Sequence, residues 1–163
     1  MENTFRYEGQ RLYADVSADM LPKAVSLIKE YLASRLYSDK EKQEDPMDFM
    51  DRTLKSMPDS LARRVDLDQL LMKRQMTMQA HERAAKEIAA IPKDSLYQGE
   101  INVTRGYRPG NVAKIKVETN GEGKARIELY FNSYCGDETR PIKWMQYDAL
   151  LKKAADGGFN VDR

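Results

Sequence analysis

The hydrophobic period of this 163-residue chain changes at Ile91-Pro92. Before that point apolar residues recur at intervals of three and four. After it, Ile115 and Val117 alternate with Lys114, Lys116 and Glu118, and Ala125, Ile127, Leu129 and Phe131 alternate with Lys124, Arg126, Glu128 and Tyr130. Intervals of three and four keep one face of a helix apolar, whereas a period of two gives a strand one buried and one wet face. The two regimes together predict an α+β fold. An antiparallel sheet, made from an N-terminal hairpin and a C-terminal three-stranded meander, packs against a helical segment of three to four helices. A chain of this length fits a single domain over 1–163 and can bury a sizeable core without staples.

The sheet part is expected at about 1–16 and 100–131. Phe5 to Tyr7 and Arg11 to Val16 flank Glu8-Gly9-Gln10 and read as a hairpin. Glu100 to Tyr107, Val112 to Thr119 and Lys124 to Phe131 read as the meander, with turns at Pro109-Gly110 and Asn120-Gly121. The helical part is expected at about 18–91. Asp19 is placed to cap a first helix that takes Pro22 into its first turn, buries Leu21, Ala24, Val25, Ile28 and Leu32, and runs to about Tyr37. Residues 38–44 carry no apolar side chain and predict a loop. Asp45-Pro46 opens a second helix with Met47, Met50, Leu54 and Met57 at helical spacing, and Pro58 closes it. After a short helical turn from Ser60, Asp66 and Gln69 stand at capping-box spacing and open a long helix that Pro92 stops. Asn132 to Arg140 reads as a polar loop. Pro141 predicts a final helix over about 141–156, ended by Gly157-Gly158.

Several function classes are disfavoured. The 27 basic and 26 acidic side chains nearly cancel, so no global field draws in nucleic acid or anionic lipid. Cys135 is the only cysteine, which rules out an intramolecular disulfide, a CxxC pair and a cysteine-rich zinc site, and predicts a reducing, cytoplasmic setting. The polar opening, Met1 to Glu8, lacks the pattern of a signal peptide, and no apolar run approaches ~18 residues, so no membrane partner is expected. Nucleophilic catalysis would have to use Cys135, with His81 as the sole histidine base, while Asp137 and Glu138 would raise the thiol pKa. No phosphate loop or metal-ligand spacing accompanies them. No catalytic residue, metal or cofactor is therefore assigned, and an enzyme using Cys135 ranks last.

Three surfaces remain. Leu61 to Gln75 resembles a helix-turn-helix unit, with Arg63 and Arg64 on phosphate and Gln69 and Lys73 towards base edges. Two ordinary helices separated by a capped break explain the same residues. Lys114, Lys116, Lys124 and Arg126 share one sheet face with Tyr130, a pattern that can track a nucleic-acid backbone and stack one base. Glu118 and Glu128 on that face favour a solvated surface of cross-strand ion pairs instead. Finally, Arg105, Tyr107 and Arg108 in a turn, and Trp144 early in the last helix, are residue types of protein-binding hot spots. The leading expectation is thus a non-catalytic cytoplasmic protein, an adaptor or inhibitor, that binds a protein partner through the loop from Arg105 to Arg108, through Trp144 and exposed methionine positions, or through both. A DNA- or RNA-binding regulator is the alternative. A homodimer through the long helix or a sheet edge is compatible with either.

The long helix carries one further pattern. Arg74 and His81 stand in its apolar stripe and are expected to meet a carboxylate or carbonyl where the stripe leaves the core. Met72 and Met76 fall on the other side. Among nine methionines they read first as core filler, and second as the wall of an adaptable groove.

Overall fold

The computed structural model describes residues 3–8, 11–36, 44–62, 66–102, 111–135, 138–141 and 147–162, with the backbone alone at 62, 111, 132–135 and 138–141. In chain order the elements are β1 (Thr4–Glu8), β2 (Arg11–Ser17), α1 (Leu21–Ser34), α2 (Pro46–Lys55), α3 (Asp59–Ala62) and α4 (Leu67–Ala89). There follow β3 (Tyr97–Asn102), β4 (Asn111–Thr119), β5 (Lys124–Cys135), β6 (Glu138–Pro141), α5 (Asp148–Asp156) and β7 (Asn160–Asp162). The fold is α+β. Strands follow the order β3-β4-β5-β2-β1-β7, and β6 pairs with β5 off that path.

Alternation decides which face of each strand is buried, and register then joins the two halves of the sheet. Leu12 pairs with Leu129, Ala14 with Ile127 and Val16 with Ala125, so β2 of the N-terminal hairpin runs antiparallel beside β5 of the meander. The sheet is mixed, not purely antiparallel, because β7 lies parallel to β1 with Phe5 beside Val161.

Three expected boundaries are corrected. Asn132 to Arg140 was expected as a loop and Pro141 as a helix start. Instead β5 continues to Cys135, β6 returns alongside it, and Pro141 pairs with Asn132. A proline lacking its N–H is tolerated at the end of an edge strand, and the final helix starts only at Asp148. Met20, not Asp19, occupies the N-cap of α1, which makes no side-chain cap bond and ends at Ser34. β3 starts at Tyr97, three residues early. Asp45 and Asp66 do cap their helices, accepting from the backbone N–H of Met47 at 2.8 Å and of Gln69 at 3.1 Å. The turn at Asn120 closes with its side chain accepting from Glu122 and Lys124, while Gly121 and Gly123 take φ of 73° and 79°.

One sheet face packs on α1, α5 and the later half of α4. Phe5, Leu12, Ile115, Ile127, Leu129 and Phe131 meet Ile28, Leu32, Ile88, Leu150 and Leu151 there. Tyr147 is buried in this layer, 5.6 Å from the Phe131 ring, and its hydroxyl accepts from the Phe131 N–H and donates to the Leu129 carbonyl. Lysines close two helix ends. Lys29 Nζ donates to the carbonyls of Ala89 (3.0 Å) and Ile91 (2.9 Å) at the end of α4, and Lys23 donates to that of Gly157 after α5.

Helix α4 is 23 residues long, about 34 Å at 1.5 Å per residue, and it serves two clusters. Ala84 and Ile88 join the main core, whereas Leu70 and Leu71 pack with Phe49 and Met50 of α2 in a separate apolar cluster. His81 lies deep on the buried stripe, 1% exposed. Arg74 sits at the edge as expected, 4.2 Å above the Phe49 ring and 3.7 Å from Glu44. Glu44 also accepts two hydrogen bonds from Arg52. Thus α2 and the first half of α4 pack into a helical arm with its own small core, and α3 lies between them in the chain.

Candidate interaction surface

The face of the sheet turned away from the core helices is a lattice of charge. Register places Lys116 beside Glu128, Glu118 beside Arg126, Asp15 beside Arg126 and Glu100 beside Lys114. Opposite charges in such positions attract across the strands. Asp15 is the centre of the lattice. It accepts from Arg126 Nε at 2.7 Å and from Arg6 Nε at 3.1 Å, and both guanidiniums lie over the Tyr13 ring, at 5.7 and 4.6 Å from its centre. Burial alone would push the Asp15 carboxyl up, but the hydrogen bonds and charges of Arg126 and Arg6 outweigh it and hold the group below its ordinary value. Arg126 gains from the same bond and is held above its usual range. Lys116 pairs with Glu118 at 2.6 Å, Lys114 with Glu100 at 3.5 Å and Arg11 with Glu128 at 3.7 Å. Arg11 also lies over the Tyr130 ring.

Lys114, Lys116, Lys124, Arg126 and Tyr130 thus share a face, as their alternation predicts, but carboxylates are interleaved with them. Nucleic acid docking there would have to separate existing ion pairs and displace a guanidinium from Tyr130. The face does contain a groove. About 920 Å³ in volume, it runs across the start of β3, the end of β4, the start of β5 and the end of β2. Leu96 and Gln98 lie at one side, with Lys116, Glu118, Lys124 and Arg126 along it.

Other predicted positions fall differently. Arg63, Arg64, Arg105, Tyr107, Arg108 and Trp144 lie outside the described residues, as do the turns at Gly9-Gln10 and Pro109-Gly110. Gln69 and Lys73 are exposed on α4. The element before them, α3, has four residues, a single turn where a helix-turn-helix unit uses a full bracing helix. Cys135 is the last residue of β5, in a strand and not in a loop.

The methionines, read from the sequence first as core filler and second as the wall of a groove, bear on a surface of the arm. Met47, Leu61, Leu67, Met72 and Met76 are between 42% and 62% exposed, and Leu96 is the only other large apolar side chain so exposed among the described residues. The methionines do not all fill the core: Met50 does, but Met47, Met72 and Met76 face solvent. Met72 and Met76 are four apart on α4 and share one face, turned away from the stripe of Leu70, Thr77, His81, Ala84 and Ile88. That offset was visible in the sequence. What it lacked was any sign that the far side stays exposed among the described residues.

Among the described residues no helix is long and apolar enough to cross a membrane, and no group of three metal-binding side chains comes together. Comparison with protein-family models, curated proteins and solved structures finds no match to this chain.

Proposed function

We propose that this chain is a non-catalytic binding protein, an adaptor or inhibitor in a reducing cytoplasmic compartment, and that its helical arm carries the contact with a protein partner. One observation supports the reading above all. Five of the six large exposed apolar side chains among the described residues fall within residues 47–76. Fully burying one such side chain is worth about 1.5–3 kcal/mol, and methionine adapts to an irregular partner surface better than branched residues do. Clustered exposure of this kind marks an interaction site more often than an accident of composition. The lone Cys135 suits the compartment.

The test is site-specific photo-crosslinking in cells from position 61, with position 114 on the sheet face as the comparison. Discrete protein adducts are expected from the arm, and Met72→Ser with Met76→Ser should abolish them while leaving the melting temperature unchanged. Adducts that appear only from position 114, or adducts from position 61 that are indifferent to those changes, refute the assignment.

A further inference from the structure

We propose that α2 is a detachable strap, an autoinhibitory contact that covers the stripe of α4 on which a partner helix of the same chemistry docks once α2 is released. The buried stripe of α4 has two apolar stretches with a polar one between them. Leu70 and Leu71 pack with Phe49 and Met50 of α2, Ala84 and Ile88 join the main core, and the buried side chains between are Thr77 and His81. The Thr77 hydroxyl donates to the Lys73 carbonyl of its own helix at 2.9 Å. Apolar clusters hold together through contact, so two that are separated in this way can open separately. Size decides which opens first. The small cluster is built on Phe49, Met50 and Leu70, whereas the main one draws on strands and helices from Phe5 to Phe159. A helix of 10 residues such as α2 is marginal on its own, and residues 38–44 before it carry no apolar side chain to anchor it elsewhere.

The strap itself shows what fits its seat. The Phe49 ring lies 4.2 Å beneath the Arg74 guanidinium, Met50 packs in the cluster with Leu70 and Leu71, and Glu44 stands 3.7 Å from Arg74. The seat therefore takes an aromatic ring under a guanidinium, a flexible apolar side chain in the next position and a carboxylate near the start of the helix. A partner helix with these three features competes with α2. While the strap is closed, the partner's apparent affinity is reduced by the fraction of open molecules. Once α2 has left, α4 offers Leu70 and Leu71 on one face together with Met72 and Met76 on the other. The regulatory meaning rests on the arm being the contact with a partner, whereas the detachment of α2 does not.

A fluorescein-labelled peptide of residues 44–57 stands in for the partner helix, titrated by anisotropy against the intact protein up to about 1 mM, the effective concentration of a tethered segment. Losing a large buried apolar side chain weakens its seat by about 10–150-fold. Phe49→Ala protein, whose own strap is loosened, should therefore bind the peptide about tenfold or more tightly than the parent does. A peptide that itself carries Phe49→Ala should bind neither. Hydrogen exchange on the parent should show α2 exchanging about a hundredfold or more faster than the last turn of α4, β4 and β5, and a circular dichroism melt checks that Phe49→Ala leaves the main core folded. The proposal is overturned if parent and variant bind the peptide alike, if it saturates on neither, if the truncated peptide binds as well, or if α2 exchanges in step with β4 and β5. Met72→Ser with Met76→Ser should leave peptide binding unchanged. Peptide binding as expected, without adducts from position 61, would thus remove the partner contact and keep the strap, while adducts without the peptide effect would remove the strap alone.

Discussion

Replacing Asp15 with asparagine removes the charge at the centre of the sheet lattice while keeping the side chain's shape. The carboxylate is 28% exposed and accepts one hydrogen bond from Arg126 at 2.7 Å and one from Arg6 at 3.1 Å. Hydrogen bonds to charged groups contribute about 1.5–3 kcal/mol when well shielded, and exposed ion pairs about 0.2–1 kcal/mol. A partly shielded carboxylate shared by two guanidiniums falls between these limits, so Asp15→Asn should cost about 1–3 kcal/mol. In a chain of this size each kcal/mol moves the melting temperature by about 2–4 °C, which places the variant roughly 2–12 °C below the parent at pH 7. The pH dependence follows from the direction of the shift. Because the folded carboxyl is held below its ordinary value, its contribution is complete above about pH 4 and disappears as pH falls through the folded pKa. Calorimetry at a series of pH values should therefore show the gap between parent and variant constant from pH 7 to 5 and closing below pH 4. A gap under one degree at pH 7, or one that persists undiminished to pH 2, would refute the claim that this carboxylate ties the two guanidiniums to the sheet.

Tyr147→Phe should cost about 1–2 kcal/mol by chemical denaturation, since it strips a buried partner from the Phe131 N–H and the Leu129 carbonyl. Burial pushes the Tyr147 phenol far above its usual value, so in a spectrophotometric titration it should stay protonated after exposed tyrosines have ionised, until the protein unfolds. Leu150→Ala, in the fully buried layer beneath the sheet, should lose about 2–5 kcal/mol. Met76→Ala, 62% exposed on the arm, should change stability by no more than about 0.5 kcal/mol. Lys29→Met deletes the donor to the Ala89 and Ile91 carbonyls and should speed amide exchange in the last turn of α4, with a loss of about 0.5–1.5 kcal/mol.

What could be read from the sequence was whatever local periodicity determines. Alternation from Lys114 to Phe131 placed each side chain on the correct face, and Asp45 and Asp66 announced their helices because a cap is a contact over two or three residues. Pairing partners are another matter. Pro141 carries the same local signal at a helix start as at a strand end, and only its distant alignment with Asn132 distinguishes them. Asn160–Asp162 is too short to show alternation and becomes a strand solely because β1 lies beside it. The candidate surfaces divide in the same way. The charged face was legible residue by residue, yet its neutralisation depends on β2 lying against β5, which brings Asp15 to Arg126 across most of the chain. On α4 the stripe and the opposing methionines were both visible, but exposure depends on how much of the helix the sheet can cover, and that follows from tertiary geometry alone.

The parallel pairing of β7 with β1 also sets an order of events. Thr4, Phe5 and Arg6 align with Asn160, Val161 and Asp162, so the two segments must meet across nearly the whole described chain. Closing so long a loop is entropically expensive for three aligned residues, whereas the β4–β5 hairpin closes over a few residues and can nucleate early. Until residue 162 has left the ribosome, the far edge of β1 has no β7 to cover it, and an open strand edge invites pairing with another chain. Deleting residues 160–162 would make that transient state permanent. The nascent protein is then most prone to aggregation in the interval between completing its hairpins and sealing this edge, which makes β7 the latch that ends its vulnerability during synthesis.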